Sequence, residues 1–310
     1  MKQKNKTNVK KVLILLLLVF SLTGCTTYLK DKDGKTVQNE LTGQNLTENI
    51  LCQPTEKETL KLYKENDVDI SEYPKCEEMN IVSGSYEGIW TTVFVKPLAW
   101  VIIQIGELFH NYGLAIIITT LLIRLITMPF TKKAALQSEN LKKAQPELER
   151  LEKKYQNKTD QNSMLQKNQE MLAIYKKYQI NPMSSCLFSF LQMPLFFAFY
   201  EAMNRLPAIF ESSFLRFQLG TTPVTGMSSG NYLYIIIVVL VIATSYFSFK
   251  LNSGASMSGE QAKQMSMMMK FMTVFIGIAS LTLSTGIAIY WIVNSGFTIL
   301  QNLWVKRRKA

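Results

Sequence analysis

Apolar residues in this 310-residue chain are gathered into blocks rather than spread evenly. The block at 113–130 (GLAIIITTLLIRLITMPF) is eighteen residues long. At a rise of 1.5 Å per residue this makes roughly 27 Å of helix, enough to cross most of a bilayer's hydrocarbon core. Four further blocks of similar length, at 183–203, 232–249, 267–283 and 286–305, predict four more membrane spans, the last two joined by a tight Ser284-Thr285 turn. Residues 90–109 are patterned differently. Phe94, Leu98, Val101, Ile105 and Leu108 recur at spacings of three and four, while Lys96, Gln104 and Glu107 interrupt them and Pro97 would disturb the middle of a span. This predicts an amphipathic helix over 89–111 lying in the outer membrane interface, with Trp90 and Trp100 at headgroup depth.

The polar stretches divide into two kinds. Residues 26–88 are rich in Gly, Asn and Thr among scattered charges and show no sustained period, so short helices such as 56–64 are expected but no large core. Residues 131–182 are patterned: Leu141, Ala144, Leu148, Leu151 and Tyr155 step by three and four, as do Met164, Asn168, Met171, Tyr175 and Tyr178. A turn-prone 157–160 stretch separates the two runs, which predicts an antiparallel helical hairpin closed by a coiled-coil-like seam. The expected fold class is an all-α polytopic membrane protein: five transmembrane helices over 112–305 around a hydrophilic groove, an interfacial helix, and a cytoplasmic hairpin.

Charge fixes the orientation. From 26 to 111 there are 14 acidic residues against 8 lysines, whereas 131–182 carries 11 Lys/Arg against 6 Asp/Glu. Basic excess stays in the cytoplasm, so the hairpin should be inside, the 25–88 segment outside, and the basic 306–310 tail inside. The formal net charge of +11 is inflated by the first 24 residues, where five lysines precede the apolar run 12–20. That arrangement is a secretion signal, too short to be a span. It ends in Leu22-Thr23-Gly24-Cys25, which matches the lipobox of bacterial lipoproteins. The match implies cleavage before Cys25, with a diacylglyceryl group on its sulfur and, if the new amine is also acylated, a third chain, together a firm anchor in the outer leaflet. Cys52 and Cys76 share the exported segment and could pair. Cys186 opens a later span as a small packing residue.

The residue that stands out chemically is Arg124, inside the first span. An arginine near the centre of a membrane helix costs about 2.5–3.5 kcal/mol on insertion scales, so it should face protein or water, unless it snorkels about 9 Å to the basic helix end. Thr120 and Thr127 lie beside it at helical spacing. Other spans carry polar stripes: Ser185, Ser189 and Gln192; Thr273, Gly277, Ser280 and Ser284; and Tyr290, Asn294, Thr298 and Gln301. Small and hydroxyl residues suit close helix packing, but four large polar groups on one line exceed what packing requires. With Arg124 they suggest a polar groove. There is no Gly-rich phosphate loop, no paired carboxylates, no Ser/His/Asp set and no metal-ligand spacing, and His110 is the only histidine. A membrane cavity with one charge and no catalytic set points to binding or translocation rather than to an enzyme. No cofactor is expected beyond the lipid on Cys25.

The motifs LIRLITMPF, QPELERLEKKY, IYKKYQINPMSSC, LQMPLFFAFYEAM and YWIVNSGFTILQN, with the lipobox, resemble the YidC family of membrane protein insertases in its Gram-positive lipoprotein form. The resemblance runs from about 90 to 309. It implies an energy-independent chaperone of the bacterial cell membrane that helps nascent membrane proteins insert and fold, alone or beside the Sec translocon. It also implies that Arg124 sits in a groove open to cytoplasm and lipid, attracting acidic residues of a client's exported tail, with Gln192 and Trp291 as groove residues. The hairpin would meet incoming substrate, the ribosome or the targeting machinery, and its basic flanks could meet lipid headgroups. Two departures matter: the tail after Val305 is only KRRKA, and 26–88 has no recognised counterpart. The competing reading is a small-solute or anion transporter that uses Arg124 as its ligand.

Overall fold

The computed structural model describes residues 26–158, 160–252 and 259–307, with 182–191, 252 and 259–265 described by their backbone alone. The signal segment and Cys25 lie outside the described residues, as do the side chains of Ser185, Cys186 and Ser189. The chain is mostly helical and divides into two compact units, residues 1–116 with 194–221, and 117–193 with 222–310.

In the first unit, 26–88 is a folded lobe with a small core, where short helices and no large core were expected. Asp31 and Asn39 each fold a turn back on themselves: Asp31 Oδ1 accepts from the backbone of Asp33 (2.9 Å) and Lys35 (2.8 Å), and Asn39 Oδ1 from that of Leu41 (3.0 Å). These turns set up the isolated antiparallel bridges Lys30 with Thr36, Gln38 with Asn45, and Tyr28 with Thr47. Leu29, Val37, Leu46, Ile50 and Tyr63 pack into a buried cluster completed by Phe210, a residue from far along the chain. The spacings are irregular and one member is borrowed, which is why no period betrayed this core. The helix α1 (Lys57–Glu65) supplies Tyr63, whose hydroxyl donates to the Thr47 carbonyl at 2.7 Å. Cys52 and Cys76 form a disulfide. A small lobe gains much of its stability from such a staple: closing a loop of this size contributes about 3 kcal/mol in the chain-entropy account. Replacing both cysteines by serine should therefore open the lobe to limited proteolysis and lower its melting temperature. Unchanged cleavage and melting would show that the bridge is dispensable.

After a π turn at Thr91–Val95 comes α2 (Lys96–Phe109), with Pro97 in its first turn, where the helix tolerates it. His110 adopts the left-handed conformation that ends the helix. The buried face is Val95, Leu98, Ala99, Ile102, Ile103 and Gly106, not the expected 94-98-101-105-108 line; Phe94 and Leu108 are exposed. Gly106 decides the side, because any Cβ there would collide with the Tyr112 ring. Trp90, expected at headgroup depth, is buried against protein, its indole donating to Glu201 at 2.9 Å. Lys96, read as an interruption, is buried and caps the preceding loop by donating to the carbonyls of Ser83 (2.7 Å) and Ser85 (2.9 Å).

The helix α3 (Tyr112–Tyr155) is a single 44-residue rod, roughly 66 Å long, with Pro129 and Pro146 inside it. The first predicted span and the first hairpin arm are therefore one element. No glycine or proline lies between Phe130 and Leu141 to end the helix, and a lone proline such as Pro129 removes only one backbone bond. The second arm is α4 (Gln161–Lys177), begun by Asp160, whose side chain accepts from Ser163 N. Glu147 bonds Lys177 and Tyr178, and Glu170 bonds Lys154 and Tyr155, so the arms run antiparallel. The contact differs from the predicted apolar seam. Ala144, Leu151 and Tyr155 are buried on α3, but Met164 and Asn168 are exposed and no α4 side chain is buried. Three polar groups at each end clasp the arms, and exposed ion pairs of this kind contribute little, so the clasp is weak.

There follow α5 (Pro182–Arg205), α6 (Pro207–Phe210), a two-stranded hairpin of β1 (Ser213–Phe214) and β2 (Phe217–Gln218), and α7 (Pro223–Ser228). The chain ends with α8 (Tyr234–Asn252), α9 (Gly259–Thr282) and α10 (Thr285–Arg307), α8 packing against both α9 and α10. The C-terminal end of α5 is fastened to the lobe by Arg205. Its side chain is fully buried and bonds Glu87 through one nitrogen (2.6 and 2.7 Å), Glu201 at 2.9 Å and the Asn49 carbonyl. Among the described residues, three helical stretches are long and apolar enough to cross a membrane: 91–109, Tyr112–Tyr155 and Tyr234–Leu251; Ser266–Thr282 is a shorter apolar helix.

Candidate functional site

The second unit buries a cation. Arg124, on α3, is 3% exposed, and Nη2 donates to the Asn294 carbonyl of α10 at 3.1 Å. Nε and Nη1 have no hydrogen-bond partner among the described residues, nor does the Asn294 Oδ1. No ion pair to Arg124 occurs among the described residues either. Buried polar atoms are usually satisfied, and an unmatched buried charge is the costliest exception. Two turns further along both helices, Thr131 and Gln301 bond each other at 2.7 and 2.9 Å. Arg124 meets Asn294 and Thr131 meets Gln301 with a common offset along the chain, so α3 and α10 run in the same direction. Polar side chains in an apolar environment hold helices together by such pairs, worth roughly 0.6–2 kcal/mol each.

The sequence-derived site residues separate into three groups. Arg124 and Asn294 are joined directly. Gln192 on α5 and Tyr290 on α10 form a second pair, with Gln192 Nε2 donating to the Tyr290 hydroxyl at 3.4 Å, and Tyr290 is almost wholly buried. Thr120, one turn before Arg124, is buried. Thr127 does not reach across. Its hydroxyl bonds its own helix at the Ile123 (2.9 Å) and Arg124 (3.3 Å) carbonyls. Trp291 also points elsewhere: one residue on from Tyr290 it is turned by about 100°, and its indole donates to Ser245 Oγ on α8 at 2.8 Å. Thr131 was missed as a partner. Its signal was present, seven residues after Arg124 just as Gln301 is seven after Asn294.

Among the described residues no cluster of three or more His, Cys, Asp or Glu is placed to hold a metal. What the arrangement offers is a fixed positive charge with unfilled donors, framed by amide and hydroxyl groups, which suits reversible attraction of an anion.

Residues 104–310 match the family model described as 60Kd inner membrane protein. The chain is 34% identical to a membrane protein insertase YidC of Oceanobacillus iheyensis, over 75% of this chain and 90% of that one. It is 36% identical to membrane protein insertase YidC 2 of Bacillus anthracis, over 74% and 87% respectively. Membrane protein insertase MisCA of Bacillus subtilis is 33% identical over 70% of this chain and 79% of its own. In fold, the chain resembles a crystal structure of an active YidC insertase with its first transmembrane domain resolved, at a TM-score of 0.51 and 22% identity. That likeness covers 79% of this chain and half of the other. The family match begins at residue 104, after the 26–88 lobe, and takes in Phe210, which completes that lobe's core. The chain belongs to the 60Kd inner membrane protein family, alongside the YidC membrane protein insertases.

Proposed function

We propose that this chain is a membrane protein insertase that helps nascent membrane proteins enter and fold in the bacterial cell membrane, alone or beside the Sec translocon. The observation that carries the reading is Arg124, buried among helices with unfilled donors and no acidic partner among the described residues. In this account it lies in a hydrated groove reached from the cytoplasm, lined by Thr120, Thr127, Gln192, Tyr290 and Asn294, with Trp291 behind them against α8. A charge there shortens the low-dielectric distance that a client's polar exported tail must cross, and gives acidic side chains a transient partner. The client's apolar segment then partitions into lipid, which supplies the free energy without ATP.

Five crossings, α3, α5, α8, α9 and α10, fit the shared direction of α3 and α10, since three helices lie between them. The basic hairpin and tail then fall in the cytoplasm, and the lobe outside, anchored by lipid on Cys25. Packing of α2 beside the lobe residues Cys76–Glu78 supports keeping α2 on the outer face, although its length and composition would also allow a span. The hairpin, with its basic surface, is the contact for incoming client or targeting machinery.

The test is reconstitution of the purified protein in vesicles, with a radiolabelled single-span client added during translation. Protease-protected client is expected only in vesicles that contain the protein. A photo-reactive residue in place of Thr120 should crosslink to a stalled client chain. Solute flux with no gain in protected client would instead establish the transporter reading.

A further inference from the structure

The β1–β2 hairpin carries a residue its backbone disfavours. Leu215, the first of the two tip residues, has φ +57°, a left-handed conformation that two-residue hairpin turns normally give to glycine or asparagine. Its side chain is 81% exposed, so contact with the rest of the protein does not offset that strain. Arg216 beside it is exposed and makes no ion pair among the described residues.

The hairpin is held rigidly at its base. Leu219 is buried and its N–H donates to the Ser212 carbonyl at 2.8 Å, while the Gln218 side chain donates to the Phe210 carbonyl and accepts from Thr221 N at 2.6 Å. Its height is set by Phe214, whose ring fills the space left by Gly113; any Cβ at Gly113 would collide with that ring. Gly113 opens the apolar run of α3, and Leu114 next to it is already 36% exposed, as a lipid-facing residue would be. One residue spans at most about 3.8 Å, so the tip lies within about 10 Å of the level at which α3 becomes apolar. The interfacial zone of a bilayer is about 5–8 Å deep on each side of its core.

We propose that Leu215 and Arg216 form a lipid-anchoring tip at the Gly113 end of α3, with Leu215 entering the upper acyl region and Arg216 binding the phosphate of an anionic headgroup. The pairing of a bare aliphatic side chain with a guanidinium matches that boundary, where apolar and phosphate groups lie side by side. It rests on α3 crossing the membrane and not on what the protein inserts.

The test places a fluorescent amino acid, Leu215→dansylalanine, in the full chain reconstituted in phosphatidylcholine vesicles with or without phosphatidylglycerol. Leu122→dansylalanine, near the middle of the apolar run 113–130 and 44% exposed, serves as the deep reference. Quenching by headgroup- and shallow-chain-labelled lipids is expected to exceed that by aqueous iodide at least twofold at position 215. Phosphatidylglycerol should increase the lipid quenching, and Arg216→Gln should remove that increase. Quenching by iodide alone would place the tip in water and overturn the proposal. Protection from both quenchers would mean that a protein covers the tip, which overturns it equally. Lipid quenching without any response to phosphatidylglycerol or to Arg216→Gln would overturn the headgroup assignment. Insertion of a client by the same vesicles reports separately on the proposed function.

Discussion

Replacing Arg124 by alanine is expected to slow insertion of a client with an acidic exported tail by about tenfold or more, while a client with a neutral tail loses far less. The magnitude follows from the surroundings. Two unit charges about 4 Å apart interact by about 4 kcal/mol at an effective dielectric of 20, and about 1.4 kcal/mol is already a factor of ten. Part of that attraction is offset by desolvating the client's carboxylate, so an effect near the lower figure is the reasonable expectation. Arg124→Lys should retain much of the activity, because the role asks for charge; only the bond to the Asn294 carbonyl has a geometric demand. The measurement is protease protection of matched clients differing only in tail charge. Equal losses for both tails would remove Arg124 from the mechanism while leaving the family membership intact. The protein's stability should fall little, or even rise, in Arg124→Ala, since the variant removes a buried charge that no acid neutralises.

The opposite expectation holds for Arg205. Its alanine variant leaves Glu201 buried without a cation and strips Glu87 and the Asn49 carbonyl of their donor. Breaking a buried pair from one side costs about 3–5 kcal/mol, comparable to the whole stability of a small lobe. We expect Arg205→Ala to release the 26–88 lobe: faster proteolysis between 26 and 88, faster hydrogen exchange at Leu51, whose N–H bonds the Arg205 carbonyl, and a lower melting temperature. Combining Arg205→Met with Glu201→Gln and Glu87→Gln should recover much of the loss, because neutral partners no longer need a counter-charge. Failure of the single variant to change exchange in the lobe would mean that the disulfide and the Leu29–Tyr63 cluster suffice alone.

These two arginines show what was legible in the sequence. Arg124 was visible because it breaks an eighteen-residue apolar run, and its partner Asn294 because polar residues recur every three or four positions along α10. The tie made by Arg205 was not legible, since Glu201 is its one near neighbour in sequence while Glu87 and Asn49 lie more than a hundred residues away. Lys96 failed for a related reason: a charge in an apolar helix looks like an interruption, and only the loop at 83–85 reveals that its ammonium has carbonyls to cap. In α2, apolar residues occur on nearly every side, so period alone could not choose the buried face; Gly106 and the Tyr112 ring choose it. The lobe's core has no period because it is built from turns. Trp291 was assigned to the groove from its motif, whereas the helical rotation of one residue carries it to Ser245.

The unbroken course of α3 has a mechanical consequence. Glu147, where the hairpin arm is clasped, and Arg124 sit on one rod, separated by 23 residues or about 35 Å. A loop between them would absorb a push; a helix conveys it as tilt or axial rotation, softened only at Pro129 and Pro146. A load on the weakly clasped hairpin would thereby reach the helix that carries the guanidinium, with the long rod as the lever.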